Sequence, residues 1–216
     1  PTSTSTLTSL LTGAQVYQLN VTSITVNWAA FASGSGANTA TAYRLEASTA
    51  SNFTGTIFSS VTANVVLSTL TVTGLTTNTV YYFRAGGVNW NSVANFVTPI
   101  GSPAITIAGA APINPMITTV AISSVAASWT NISDNTGYIV DASTALNFTG
   151  TIFSSATLNA TLTSLFVNGL AANTTYFLRA GALYNGATTY ANTTPSSTST
   201  LTSLLTGAQV YQLNVT

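Results

Sequence analysis

The chain contains no cysteine, no histidine and no lysine, and only six of its 216 residues are charged: Arg44, Glu46, Arg84, Asp134, Asp141 and Arg179. Each absence closes off a class of function. Without cysteine there is neither a disulfide framework nor a thiolate metal site. Without histidine a zinc site or a catalytic triad lacks its usual member. Three arginines against three acids give zero net charge, so a basic footprint for nucleic acid is excluded. No apolar run reaches the ~18 residues of a membrane-spanning helix, and no membrane insertion is expected. The chain starts at Pro1 without an initiator Met or a leader pattern, and reads as a mature fragment or an excerpt of something longer.

Three carboxylates remain for acid–base chemistry, which needs side chains of tuned pKa brought together. Glu46 and Asp141 fall at the same position in two copies of a repeat, so they do not form a pair. Asp134 lies in "NISDNTG", where an Asp is a turn former. One carboxylate is far short of a calcium cage of oxygens. The expectation is a non-enzymatic chain with no catalytic residues, no metal and no cofactor.

What fills the chain instead is hydroxyl: Ser and Thr supply 67 residues, beside a hydrophobic content of 46%. Low charge with normal hydrophobicity argues against disorder. It also removes the self-repulsion that keeps ordinary soluble proteins apart. Such a chain belongs in an assembly or under a coat of sugar.

Two nested repeats organise it. "PTSTSTLTSLLTGAQVYQLNVT" at 1–22 returns at 195–216 with only Thr2 changed, to Ser196. Inside that period, "ASTASNFTGTIFSSVT" at 47–62 matches "ASTALNFTGTIFSSAT" at 142–157, and "VTGLTTNTVYYFRAG" at 72–86 matches "VNGLAANTTYFLRAG" at 167–181. Further upstream "SITVNW" at 23–28 pairs with "SVAASW" at 124–129. A loop containing "SGSGANTAT" is longer in the first copy, which marks it as surface.

The local signal is strand throughout. "YRLEA" sets Tyr43, Leu45 and Ala47 on one face and Arg44 and Glu46 on the other. "YYFRAG" sets Tyr81, Phe83 and Ala85 against Tyr82 and Arg84. Alternation in runs rich in Val, Ile, Thr and aromatics predicts strands with one buried face, and Gly, Asn, Ser and Pro clusters separate them at sandwich spacing.

In order, each copy carries a strand ending in Trp (Trp28, Trp129), a strand opening with Tyr (Tyr43, Tyr138), and Leu-x-x-x-Thr-x-Tyr (Leu75 to Tyr81, Leu170 to Tyr176). This pattern resembles the fibronectin type III domain, twice over. The resemblance implies an all-β fold of two tandem antiparallel sandwiches. It makes Trp28, Tyr43, Leu75 and Tyr81 the first core and Trp129, Tyr138, Leu170 and Tyr176 the second, with Tyr81 and Tyr176 as the tyrosine corners. The expected organisation is a linker or edge strand at 1–12, domains at 13–100 and 101–194, and at 195–216 the start of a next unit or a donated strand. One departure from the family is Thr77 or Ala172 where a Pro is common.

The resemblance also makes neighbours of the strands carrying Glu46 and Arg84, and of those carrying Asp141 and Arg179. Two cross-strand ion pairs on an outward face are expected. As surface pairs they are worth ~0.2–1 kcal/mol; if another domain covers the face, which Tyr82, Ile139 and Phe177 favour, they are desolvated. Asn-x-Ser/Thr occurs at Asn20, Asn52, Asn131, Asn147, Asn159, Asn173, Asn192 and Asn214, a slight excess over chance, so glycans are a candidate partner.

The repeated ending offers Val210, Tyr211, Leu213 and Val215 as a self-assembly strand with no sandwich of its own. It is either the start of a next repeat or a strand added to a neighbouring molecule. Both imply a homopolymer or tandem array: an extracellular fibre, stalk or cell-surface filament. The alternative is an adhesin or a carbohydrate-binding accessory module, using exposed aromatics such as Trp90 and Tyr184.

Overall fold

The computed structural model describes residues 4–32 and 40–207. It forms two compact units, one of Pro1–Gly109 with Tyr184–Ala187, the other of Ala110–Leu183 with Thr188–Thr216. All regular structure among the described residues is β, as the alternation requires.

In the first unit, β1 (Thr12–Leu19), β2 (Ser23–Ala29) and β5 (Thr69–Thr73) make one sheet in the order β1-β2-β5. The facing sheet has β4 (Ile57–Thr62), β3 (Ala42–Ser48), β6 (Val80–Val88) and β7 (Ala94–Val97) in that order, and β8 (Ala104–Ile105) pairs with β6. Ile24, Val26, Trp28 and Val72 from one sheet meet Tyr43, Leu45, Tyr81 and Phe83 from the other in a closed core. Their inward positions alternate along each strand, which is why the period-2 pattern was legible.

The second unit repeats the plan. Here β9 (Ile113–Val120), β10 (Ser124–Thr130) and β13 (Ser164–Asn168) face β12 (Ile152–Thr157), β11 (Gly137–Ser143), β14 (Thr175–Tyr184) and β15 (Ala187–Ser199). The long β15 reaches across and touches β9 in parallel, Thr194 opposite Met116. In the first unit the corresponding contact is a single parallel bridge between Gln15 and Ile100. The strands do not stop where the sequence repeat does. Ala104–Ile105 belongs to the first sandwich's sheet, and β15 carries the chain through Pro195 to Ser199 on the second.

Candidate functional site

All eight expected core residues are buried: Trp28, Tyr43, Leu75, Tyr81, Trp129, Tyr138, Leu170 and Tyr176. Trp28 packs on Tyr43 with ring centres 5.2 Å apart, and Trp129 on Tyr138 at 4.9 Å. The hydroxyl of Tyr81 accepts from the Thr76 amide at 3.0 Å, and that of Tyr176 from the Ala171 amide at 3.0 Å. These are tyrosine corners, each satisfying an amide in the turn before its own strand. The buried indole Nε1–H groups of Trp28 and Trp129 find no acceptor among the described residues.

The expected ion pairs form, because Glu46 stands directly opposite Arg84 across β3 and β6, and Asp141 opposite Arg179 across β11 and β14. Arg84 Nη2 lies 2.6 Å from Glu46 Oε2, and its Nε donates to the same oxygen at 2.7 Å. Arg179 donates to Asp141 Oδ2 from Nη2 at 2.9 Å and from Nε at 3.0 Å.

They are not open surface pairs. Both carboxylates are buried, Glu46 to 6% exposure and Asp141 to 3%. The residues stacked on the arginines come from the same sandwich. The Arg84 guanidinium lies 4.2 Å from the centre of the Phe53 ring and 4.3 Å from that of Phe96. Arg179 lies 4.1 Å from Phe148 and 3.7 Å from Tyr190. Cation–π attraction strengthens as water is excluded. Tyr82, Ile139 and Phe177 are half-buried.

Local backbone sets these rings. Phe53 and Phe148 both have φ of 56°, a left-handed conformation costly for a bulky residue. In each case the preceding Asn holds the turn: Asn52 Oδ1 accepts from Thr54 Oγ1 at 2.7 Å, and Asn147 Oδ1 from Thr149 Oγ1 at 2.7 Å. Opposite them, Gly181 gives room for Tyr190, whose ring carbons lie 2.8 Å from where a Cβ would sit. Burial pushes the Tyr190 phenol above its ordinary value, and the neighbouring Asp141 carboxylate adds to the shift.

A second constellation lies at the corner before each tyrosine strand. In the first sandwich, Thr106 Oγ1 accepts from the Thr79 amide at 3.0 Å and donates to the Thr76 carbonyl at 2.6 Å. In the second, Thr200 Oγ1 accepts from the Thr174 amide at 3.0 Å and donates to the Ala171 carbonyl at 2.6 Å. Both threonines are buried. The backbone follows: Ile107 N donates to Asn20 O and Leu201 N to Ala121 O. A short strap thus closes each corner through one hydroxyl.

The other expected sites scatter. Asn52, Asn131, Asn147, Asn159, Asn173 and Asn192 are exposed and Asn20 is half-buried; Asn214 lies outside the described residues. Asn52, Asn147 and Asn159 spend their side-chain oxygens on the Thr two residues later. Trp90 is 78% exposed, but Tyr184 is fully buried, which removes it from any surface aromatic platform. Asp134 is exposed with φ of 63°, as a turn residue would be, and accepts from Ser133 Oγ. No cluster of metal-ligating residues occurs among the described residues. Val210, Tyr211, Leu213 and Val215 lie outside them.

Sequence reasoning missed the four stacked rings and both strap threonines. Phe53 and Phe148 carried a signal, since "NFTG" is identical in the two copies. Phe96 and Tyr190 sit in runs that do not align visibly, and Thr106 and Thr200 are two threonines among many.

No protein-family model and no curated protein matches the sequence. Among solved structures the chain is similar to a two-domain fibronectin type III segment from chicken tenascin. That segment is 15% identical, with a TM-score of 0.58 over 83% of this chain and 94% of that one. The FN1–FN3 domains of chicken CNTN1 are 11% identical, with a TM-score of 0.41 over 90% of this chain and 68% of that one. Together with the two tyrosine corners, the tenascin likeness fixes the architecture: the chain is folded as tandem fibronectin type III-like β-sandwiches.

Proposed function

We propose that the chain is a repeat unit of an extracellular or cell-surface filament, a structural element without enzymatic activity. The observation that carries this reading is the 22-residue segment that opens the chain and returns at 195–216, because recurrence at a two-sandwich period is what a one-dimensional array needs and what a binding site does not. The near absence of charge supports it, since chains that pack side by side need not repel one another. The fold agrees with a structural or adhesive role. Exposed Asn-x-Thr sites at Asn52, Asn147, Asn159, Asn173 and Asn192 suit a surface that carries glycan.

An adhesive or carbohydrate-binding module is the second reading, and the exposed Trp90 indole is the observation in its favour. Burial of Tyr184 leaves that indole without the second ring a sugar platform uses. Immunogold electron microscopy of the producing cells, with antibody raised against this chain, separates the two. Regularly spaced label along filaments is expected. Label confined to cell bodies, with binding of the purified chain to an immobilised glycan that is lost in Trp90→Ala, would replace the filament by the adhesin.

A further inference from the structure

The two copies of the 22-residue segment are used differently. In the copy at the start of the chain, the second half is engaged. Thr8 is buried and donates to the Gly87 carbonyl at 3.0 Å, Leu11 is 4% exposed, and Ala14 is buried in the first core. The first half is held through its backbone and Ser5: Asn89 Nδ2 donates to the Ser5 and Thr6 carbonyls at 3.3 and 3.0 Å, and Ser5 donates to Asn91 Oδ1, while the Thr6 and Leu7 side chains are exposed.

In the copy at 195–216 the order is reversed. Thr200, the counterpart of Thr6, is buried on the second sandwich. It bonds there to Ala171 and Thr174, while the Leu201 carbonyl accepts from the Asn173 amide. Leu204 and Leu205, the counterparts of Leu10 and Leu11, are 82% and 91% exposed. The same residues therefore meet two environments: the Thr6 hydroxyl is exposed where Thr200 is seated, and Leu11 is buried where Leu205 is exposed.

The strap seat is a built feature, since the first sandwich receives Thr106 in the same way. What the seat holds is the threonine hydroxyl, in Ile-Thr-Ile at 105–107 and Ser-Thr-Leu at 199–201, while the flanking Ile105, Ile107 and Leu201 side chains are exposed. Ser-Thr-Leu at 5–7 is the counterpart of 199–201 in the repeated segment, and its Thr6 side chain is exposed.

We propose that this segment is a two-sided coupling element, and that its partner is a second copy of this chain. The segment Thr4–Leu7 leaves its contacts with Asn89 and docks on the corner formed by Ala171–Thr174 of a preceding copy, while the second half opens the first sandwich of its own. Within a continuous array the same joint forms through the chain. Between separate copies it forms when the incoming Thr6 takes the seat of Thr200. No new groove is needed, because the seat and its ligand are both present in every copy. This deepens the filament reading and rests on it.

The test evicts the resident strap from the full chain. Thr200→Glu places a carboxylate against the carbonyls of Ala171 and Thr174, so its own strap cannot seat and the corner becomes free for Thr6 of another copy. Light scattering after size exclusion is expected to show the wild type as a monomer and T200E as head-to-tail oligomers whose mass grows with concentration. The double variant T6E/T200E, with no competent strap, returns to a monomer. A monomeric T200E overturns the proposal, and so does a double variant that associates equally.

If T200E loses the β circular-dichroism signal, the pair T200V and T6V/T200V is read by the same criteria. A tethered strap competes at an effective concentration of order millimolar, so the milder pair is run at the highest soluble concentration. Oligomers that depend on Thr6 would stand even if no filaments label on cells, so the coupling and the filament reading can fail separately.

Discussion

The two sandwiches solve one electrostatic problem with different atoms. Each buries a carboxylate under a guanidinium that touches two aromatic rings. In the first, the acid is Glu46, and a second arginine, Arg44, approaches it at 3.8 Å. In the second the acid is one methylene shorter, Ile139 stands where Arg44 does, and the remaining Asp141 oxygen accepts from Ser154 Oγ at 2.7 Å. The longer side chain can share two cations; the shorter one is pinned by one cation and a neutral hydroxyl. What is preserved between them is the satisfaction of a buried charge, because an unpaired one is intolerable at this depth.

The comparison gives an order of effects. Removing the guanidinium while keeping the bulk is the largest. Arg179→Met should cost ~3 kcal/mol, and Arg84→Met less, ~2 kcal/mol, because Arg44 remains beside Glu46. Urea unfolding of the two variants measures this, and equal losses would mean that Arg44 contributes nothing.

Next come the glycines beside the stacks. At Gly86 a Cβ would lie 2.4 Å from the Asn95 carbonyl oxygen, whereas at Gly181 it meets the side chains of Thr188 and Tyr190. Backbone cannot move aside as a side chain can. Gly86→Ala is expected to cost ~2 kcal/mol and Gly181→Ala ~1 kcal/mol, read as shifts in the urea midpoint. The reverse order would show that the Tyr190 stack is the more rigid of the two.

The tyrosine corners should not distinguish the sandwiches. Tyr81→Phe and Tyr176→Phe each remove one 3.0 Å bond to a backbone amide, and each should cost ~1 kcal/mol. A difference between them, measured by hydrogen exchange at Thr76 and Ala171, would locate extra strain in one turn.

The smallest effect is confined to alkaline pH. Tyr190 replaces Phe96, and its pKa is raised by burial and by Asp141. The folded phenol therefore keeps its proton at a pH where the unfolded one has lost it. Its contribution is complete below about pH 10 and is lost as pH rises through the folded value. Thermal melts from pH 9 upward should show this loss in the wild type and its removal in Tyr190→Phe, with no counterpart at Phe96.

Much of this was readable in advance, and the parts that were not share a cause. Trp28, Tyr43, Leu75 and Tyr81 announce themselves because they recur in the same order: the last three return 95 residues later as Tyr138, Leu170 and Tyr176, and Trp28 returns 101 later as Trp129, across the longer loop of the first copy. The facing of Glu46 and Arg84 followed from strand parity plus the adjacency the family likeness implied. The depth of those charges did not follow. Phe53 reaches Arg84 from the loop after β3, and Phe96 reaches it from β7, so their convergence is a property of the sheet and has no trace in local periodicity. The straps escaped for another reason: Thr106 and Thr200 differ from dozens of other hydroxyls only in what lies beneath them.

The sequence by itself determined the strands, the duplicated sandwich and the two opposed charges, because alternation and repetition are local and survive in a string of letters. Only the tertiary structure decided that those charges are buried, that two rings lie against each guanidinium, and that one hydroxyl closes the corner of each sandwich. Burial depends on what other elements bring to the same place, and identical residues such as Leu11 and Leu205, or Thr6 and Thr200, acquire opposite exposures because different elements lie beside their side chains.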